Sequence, residues 1–297
     1  MLAAAIGLSG SGTAGAASHD GATRLSAGCS TDWRQYGYSA SHSFSVPVGC
    51  SPISSKNVAT LVPKWFFHTK DSVTASPAVV GNSVYVGAWD GRFYSLNATT
   101  GQQQWVFNIR VANPVAFGQI VSSAAVEPFR VAGTQRTEEV VLFGGGSALW
   151  ALAADSGKLL ASIDLDPRTP KLRKAQLSAP NPPTVEIESS PAVANVKVGE
   201  SHQQRIYVGL DVHNDPGVGR TGVVALRLVS GPEGQWSFVP LWKSDPETDR
   251  TYYGRAGLTH GSGQGQGDRR PCRARSARAA LAARTCEEGR TGAREAV

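Results

Sequence analysis

The segment GLDVHNDPGVGRTG at residues 209–222 contains side chains that could coordinate a cation. Asp211, His213, Asn214 and Asp215 stand close together in it, and carboxylate, amide and imidazole groups are ordinary metal ligands. The segment lacks the regular acidic spacing and the closing glutamate of a calcium loop. It predicts either a metal-binding or cofactor-binding loop or a solvated Gly/Pro/Asp turn, and the sequence leaves both open.

Other motifs of catalytic or binding chemistry are sparse. The sequence contains no G-x-S-x-G, P-loop or H-E-x-x-H pattern, so hydrolase, nucleotide-binding and zinc-protease functions lack support. Gln119 is a further candidate binding residue, because it stands at the base of another long loop. The catalytic residues therefore stay unassigned.

Short β-strands in a repeated order must position these residues. Within 76–105, the pieces SPAVV, SVYVGAW, RFYSLN and QQQW alternate with turn signals, among them Asp90-Gly91, read as a two-residue hairpin turn, and the glycine Gly101. The pattern recurs: VYVG at 84–87 is echoed by VLFG at 141–144 and by IYVG at 206–209. The sequence predicts an all-β protein with three four-stranded units.

These units are predicted at 73–109, 120–165 and 187–245, within a propeller region that spans 29–254. A sheet of four short strands cannot cover both of its faces, so such units pack radially as the blades of a propeller. The connections after the second and fourth strands lie on one face of a propeller. The long segments 108–119, 164–186 and 210–221 all belong to that face, which makes it the predicted binding face.

A tryptophan recurs in the last strand of the unit. Trp105 and Trp242 hold this position, and Trp65 holds it in an orphan strand at 61–69 that has no first three strands before it. We expect these indoles to be structural, packing on the next blade and donating to a backbone carbonyl. Ala161 replaces the tryptophan in the second unit, which predicts weaker docking there. The partners of the orphan strand are expected from the C-terminal side of the propeller.

The first 28 residues have the apolar and small-residue pattern of a secretory signal but no basic start, so they are either a signal or a flexible leader. An exported chain would be secreted, periplasmic or on the cell surface. There, Cys29 and Cys50 could form a disulfide, and the alternative is two unpaired thiols.

The tail at 255–297 differs from the rest of the chain. It holds nine arginines against four acidic residues, and so carries a net charge of +5 out of the total of +6. We interpret this tail as disordered, and as either an out-of-frame translation or an Arg-rich arm. The propeller region is almost neutral, which excludes nucleic acid as its partner, and no apolar run is long enough to span a membrane.

The quoted repeat resembles the pyrroloquinoline quinone (PQQ) propeller repeat. The preceding DWRQYGYSASHS at 32–43 and ISSKNVATLVPKW at 53–65 resemble the N-terminal segment of quinoprotein dehydrogenases, particularly those similar to polyvinyl-alcohol dehydrogenase. The resemblance implies an eight-bladed parent with PQQ and Ca²⁺ at its axis and alcohol oxidation as its activity.

The chain is therefore interpreted as a truncated N-terminal part of a quinoprotein alcohol dehydrogenase-like protein, with about three blades of an incomplete ring. With most of the ring missing, we expect no competent PQQ site. A small-molecule alcohol or a protein is the expected partner, and the open sheet edges predict self-association. The alternative is a non-catalytic propeller scaffold for protein–protein interaction.

Overall fold

The computed structural model describes residues 2–3, 29–112, 118–165, 184–213, 222–232 and 234–244. Apart from a 3₁₀ turn at Val58–Thr60 and a short helix α1 at Ile109–Ala112, the regular elements are β-strands. No helix in these ranges has the length and hydrophobicity needed to cross a bilayer. The all-β prediction is confirmed.

The strands form three antiparallel sheets, which we call blades 1 to 3, and one two-stranded pair. Blade 1 contains β3 (Ala78–Val80), β4 (Ser83–Gly87), β5 (Arg92–Asn97) and β6 (Gln103–Asn108). Blade 2 contains β7 (Ala125–Arg130), β8 (Thr137–Gly145), β9 (Ala148–Ala153) and β10 (Leu159–Asp164). Blade 3 contains β11 (Thr184–Glu186), β12 (Ala192–Val198), β13 (Ser201–His213), β14 (Gly222–Ser230) and β15 (Trp236–Ser244). In the described ranges the blades do not close into a ring.

Blade 3 differs from the prediction in having a fifth strand. β13 is 13 residues long, and β12 pairs with its first half while β11 pairs with its last three residues. Residues 184–186 belong to 164–186, which the sequence predicts to be a long connection. The pairing partner that makes it a strand lies more than twenty residues further along the chain.

The Asp90-Gly91 turn is also wider than the sequence analysis expected. β4 ends at Gly87 and β5 begins at Arg92, so four residues connect them, and a hydrogen bond from the N–H of Ala88 to the carbonyl of Arg92 closes the connection. The two-residue hairpin expected from Asp-Gly was wrong. Gly91 is still needed, because its φ is +76° and a Cβ would approach the carbonyl oxygen of Gly118 to 2.8 Å.

Alternating side chains give each blade two apolar faces, and neighbouring blades share them. One buried cluster joins blade 2 to the face of blade 1 that carries Phe93. Phe93 and Phe143 belong to this cluster, and their rings stack at 4.0 Å between centroids. A second cluster joins blade 2 to blade 3, through residues such as Leu142 and Val208. Burial between blades, rather than within a blade, therefore builds the core.

Trp105 in β6 docks blade 1 onto blade 2. Its indole Nε1 donates to the carbonyl oxygen of Ala154 at 3.0 Å, and the hydroxyl of Tyr85 donates to the same oxygen at 3.1 Å. The ring lies over Gly157, where an added Cβ would meet the indole at 2.6 Å. An Ala-x-x-Gly turn thus forms a socket for the tryptophan of the preceding strand.

Trp65 repeats this arrangement at the back of blade 1. Its indole Nε1 donates to the carbonyl of Ala98 at 3.0 Å, and a Cβ on Gly101 would meet its ring at 2.6 Å. Within the orphan segment, β2 (Phe66–Phe67) pairs with β1 (Leu2–Ala3) near the N-terminus. The strand pairing of this segment that the structure describes is therefore N-terminal, in contrast to the C-terminal partners that the sequence analysis expected.

The contact between blades 2 and 3 has neither the tryptophan nor its socket. Ala161 stands where blade 1 has Trp105, and the β14–β15 pairing continues from Leu228 to Ser230, past the place where blades 1 and 2 turn. Trp236 and Phe238 of the lengthened β15 pack against the apolar cluster instead. Tryptophan and socket are thus lost together at this contact.

We predict that Gly157→Ala destabilises the protein more than Gly133→Ala. Both glycines have a left-handed φ, +69° and +73°, so alanine costs similar backbone strain at either position. At Gly157 the new methyl group also collides with the indole of Trp105, whereas nothing lies within 4 Å at Gly133. We expect an additional loss of about 1–3 kcal/mol, measured by urea unfolding.

The double variant with Trp105→Ala separates the two causes. Once the indole is gone, Gly157→Ala should cost no more than Gly133→Ala. A persistent difference would show that Trp105 is not the group with which the methyl collides.

Candidate functional site

Strands β3, β7 and β12 of the three blades lie next to one another. β3 contacts β7, and β7 contacts β12. Val79, Val126 and Val193 hold equivalent positions in these strands, each directly after the first strand residue. The open backbone edges of three blades therefore meet on one side of the molecule, the side on which a propeller holds its axial ligands.

Residues 33–35, which we call the strap, pair with these edges blade by blade. The N–H of Trp33 donates to the carbonyl of Val79 at 2.7 Å, and the N–H of Val79 returns a bond to Trp33 at 2.9 Å. The N–H of Val126 donates to the carbonyl of Arg34 at 2.8 Å, while the Arg34 guanidinium donates to the carbonyl of Val126 at 3.1 Å. Trp33 thus satisfies the N–H and the carbonyl of Val79 in blade 1, and Arg34 satisfies those of Val126 in blade 2.

Gln35 does the same for blade 3 with its side chain. Its Oε1 accepts from the N–H of Val193 at 2.9 Å and its Nε2 donates to the carbonyl of Val193 at 3.0 Å. The second Nε2 hydrogen reaches Oε1 of Glu127 at 2.6 Å. The amide replaces a backbone peptide in strand pairing, and only 4% of Gln35 is exposed.

The charged groups around the strap are engaged with one another. Arg34 contacts Glu139 at 3.0 Å and Asp32 at 3.3 Å. Burial raises the pKa of the Glu127 carboxyl, and the hydrogen bond from Gln35 and the charge of Arg34 oppose that rise. The carboxylates of Asp32, Glu127 and Glu139 therefore all bind side chains of the strap.

Aromatic side chains line a cleft of about 250 Å³ beside the strap. Its walls are Trp33, Tyr36, Gly37, Phe44, Ser76 and Pro77. The rings of Tyr36 and Phe44 meet edge to face at 5.3 Å, and Phe44 is 57% exposed. An exposed aromatic cleft of this kind can receive an apolar or planar group.

The loop that carries this cleft is closed at its base and held in unusual backbone conformations. The structure joins Cys29 to Cys50 by a disulfide, which chooses between the two alternatives left open by the sequence. Tyr38, His42 and Phe44 within the loop all have positive φ, at 80°, 50° and 53°. Non-glycine residues adopt this region only where surrounding contacts impose it.

The structure describes the backbone of only two of the four candidate ligands proposed from the sequence. Asp211 and His213 are in the last part of β13, opposite Glu186 and Thr184 of β11, and not in a loop as expected. Asn214 and Asp215 are outside the described residues. The ligand role proposed for this segment remains a prediction.

Gln119 lies on the connection between blades 1 and 2. Its carbonyl accepts from the N–H of Gly146 at 3.4 Å, and the residue is partly buried. Its proposed role in binding stays a prediction. Among the described residues, no three His, Cys, Asp or Glu side chains are grouped so that they could hold a metal ion.

Asp90 was expected to be structural, and it is nearly buried in a dense set of contacts. Its Oδ2 accepts from the hydroxyl of Tyr94 at 2.6 Å, and its Oδ1 accepts from the N–H of Arg92 at 2.9 Å. Burial and the hydrogen bond to Asp90 both raise the pKa of Tyr94. The carboxylate thereby fixes the turn before β5.

Comparisons with known proteins place these observations in a family context. Residues 33–261 match the family model described as PQQ: Glucose/ethanol/alcohol dehydrogenase, beta-propeller domain. A quinoprotein glucose dehydrogenase of Gluconobacter oxydans (strain 621H) is 23% identical over 182 residues, which are 52% of this chain and 22% of that protein.

Two solved structures are among those similar to the chain. The quinohemoprotein alcohol dehydrogenase from Comamonas testosteroni is 18% identical with a TM-score of 0.45, covering 77% of this chain and 30% of that one. BamB from Moraxella catarrhalis is 15% identical with a TM-score of 0.23, covering 63% and 65%. The chain thus spans less than a third of the length of both dehydrogenases.

Proposed function

Because the chain belongs to the PQQ β-propeller domain family of glucose, ethanol and alcohol dehydrogenases, we propose that it is part of an exported quinoprotein dehydrogenase that oxidises an alcohol. The family match across residues 33–261 carries this proposal. The repeated Trp65 and Trp105 sockets support it, because such contacts dock one unit onto the next, as in a propeller. The disulfide between Cys29 and Cys50 supports export, since such bonds persist in oxidising compartments.

The described residues do not fit PQQ and Ca²⁺ by themselves. The strap covers the axial edges of all three blades, and Glu139 and Glu127 are engaged by Arg34 and Gln35. A calcium ion needs about six to eight oxygen ligands, and no such set is grouped in the described ranges. We therefore derive no catalytic step from these blades.

We predict that the purified chain neither binds PQQ tightly nor oxidises an alcohol. Tryptophan fluorescence should stay unchanged on titration with PQQ and Ca²⁺, and dye-linked oxidation of ethanol and glucose should stay at the rate without protein. A full-length quinoprotein alcohol dehydrogenase serves as the positive control. Turnover that saturates with PQQ would overturn this prediction.

The nucleotide sequence of the gene tests whether these blades are part of a larger propeller. We propose that these blades belong to a larger, eight-bladed propeller, so the nucleotide sequence beyond the codon for Val297 should encode further repeats in one of its three frames. Repeats in a frame other than that of Val297 would also identify the Arg-rich tail at 255–297 as out of frame. An extended region without propeller repeats in any frame would contradict the proposal.

A non-catalytic scaffold for protein–protein interaction is the second candidate. The exposed aromatic cleft of Tyr36 and Phe44 favours it, because such surfaces commonly contact partners. A scaffold needs neither PQQ nor Ca²⁺. Further repeats that lack an inward acidic residue and a tryptophan to stack on PQQ would support the scaffold over the dehydrogenase.

A further inference from the structure

The cleft beside the strap is a small site with aromatic walls. Its volume of about 250 Å³ is below the roughly 300–1,000 Å³ of most ligand pockets, so it suits a small chemical group. The ring planes of Tyr36 and Phe44 meet at 89°, and Trp33 lines the same space. Rings at right angles form adjacent walls of a box, whereas parallel rings would form a slot for a planar ligand.

The backbone holds these rings in place without a ligand. Trp33 exchanges two hydrogen bonds with Val79, and the N–H of Phe44 donates to the carbonyl of Gly37 at 3.0 Å. Gly37 has a φ of +71°, and a Cβ there would lie 3.0 Å from the Cα of His42, so the loop is tightly folded at this point. A site that is already formed loses less conformational entropy when it binds a ligand.

The chemistry of the lining residues selects a class of ligand. The face of an aromatic ring attracts a cation that lies within about 6 Å of the ring centroid. None of the described residues that line the cleft is charged, so no lining side chain repels a cation. Only Trp33, Tyr36 and Ser76 among them have polar side-chain atoms, which are fewer than a sugar with many hydroxyl groups needs.

The charges beside the cleft also favour a cation. Asp32 and Glu139 contact the guanidinium of Arg34 at 3.3 and 3.0 Å, so this trio next to Trp33 has a net charge of −1. Because Arg34 is already bound by two carboxylates, it is not available to an anion. A quaternary ammonium carries methyl groups in place of N–H donors, so it needs no hydrogen-bond acceptor in the cleft.

We propose that the cleft of Trp33, Tyr36 and Phe44 binds the trimethylammonium group of a small soluble compound such as choline. The methyl groups fill the apolar space, and the positive charge faces the rings. Binding requires neither PQQ nor Ca²⁺. This site therefore goes beyond the proposed function, and its test succeeds or fails independently of alcohol oxidation.

A titration of the unaltered chain with choline, followed by the NMR signal of the choline methyl groups, tests the site. The matched ligand is the tert-butyl analogue of choline, in which a neutral carbon replaces the nitrogen. We expect choline to bind at least about fivefold more tightly than this analogue, because the analogue fills the same space without the attraction of a cation to the rings. Both titrations are made at one ionic strength and without PQQ or Ca²⁺.

Two matched variants assign the binding to the cleft. Phe44→Leu keeps an apolar side chain but removes an aromatic face, and Phe66→Leu makes the same change outside the cleft at a residue of similar exposure, 54% against 57%. We expect Phe44→Leu to weaken choline binding about threefold to fivefold and Phe66→Leu to leave it unchanged. Tyr36→Leu is the second variant, because Tyr36 is also exposed and its loss should not prevent folding.

Saturable binding that prefers choline and weakens with Phe44→Leu or Tyr36→Leu supports the proposal. Absence of saturable binding overturns it, and equal affinity for the neutral analogue overturns it because the cleft would then be merely apolar. Binding that neither variant weakens, or that Phe66→Leu weakens equally, places the site elsewhere and also overturns it. Sedimentation with phosphatidylcholine vesicles that depends on Phe44, without binding of free choline, would overturn the soluble source.

Discussion

Trp105→Ala is expected to lower the free energy of unfolding by about 3–5 kcal/mol, the usual cost of removing a buried tryptophan. Trp105 is almost fully buried, stacks beside Phe93 at 6.2 Å and seals the contact between blades 1 and 2. The loss is large because a single blade cannot bury both of its faces, so weakening one contact exposes two sheets. Urea unfolding measures it.

Two further variants divide this loss into its causes. Trp105→Phe keeps an aromatic ring but removes the N–H donor, and because Tyr85 still donates to the carbonyl of Ala154, we expect a loss of about 1–2 kcal/mol. Trp89→Ala is the control, since Trp89 bonds to Thr74 outside the contacts between blades. A similar loss for Trp89→Ala would show that the effect of Trp105 is not specific to docking.

Gln35→Glu is expected to cost about 3–5 kcal/mol at neutral pH. The side chain would keep its acceptor for the N–H of Val193 but lose the donors to the carbonyl of Val193 and to Glu127. It would also bring a second carboxylate to the carboxylate of Glu127. The strap would then separate from blade 3.

This cost should depend on pH with a defined sign. Burial and the charge of Glu127 raise the pKa of a carboxyl group at position 35 in the folded state. The part of the penalty that is due to ionisation is therefore absent below the unfolded pKa of glutamate, about 4.3, and grows as the pH rises towards the folded value. Unfolding of the variant and the unaltered protein between pH 4 and 7 should show the two curves separating as the pH increases.

Gln104→Glu is the matched control for Gln35→Glu. Gln104 is exposed, and its bonds to other described residues use only its oxygen, which accepts from the hydroxyls of Ser83 and Ser95. A carboxylate keeps both contacts, so we expect a change below about 0.5 kcal/mol at every pH. A Gln35→Glu variant that behaves like Gln104→Glu would refute the role of the strap.

The sequence predicted the blades because each blade is a local pattern. In blades 1 and 2, four strands and their turns follow one another within about forty residues, so alternation and glycine positions are visible in a short window. The docking geometry of Trp65 and Trp105 follows from the same repeat. A large side chain at a fixed place in the last strand has only the next blade to contact.

The predicted candidate site was less accessible to the same reasoning. Asp211 and His213 look like loop residues in the local sequence, and only the pairing of β13 with β11 makes them part of a strand. The chemistry proposed for them, and for Gln119, rests on residue type alone. Residue type does not specify which side chains converge.

The sequence by itself determined the repeated β-unit, the family and the docking tryptophans Trp65 and Trp105, because each is encoded by neighbours along the chain. The tertiary structure decided the strap and the choice of disulfide over free thiols. Gln35 reaches Val193 across 158 positions, and its amide acts there as a peptide group. A side chain that pairs with a strand edge leaves no periodic pattern in the sequence. It can be recognised only in the tertiary structure, where the strand edges at Val79, Val126 and Val193 lie side by side.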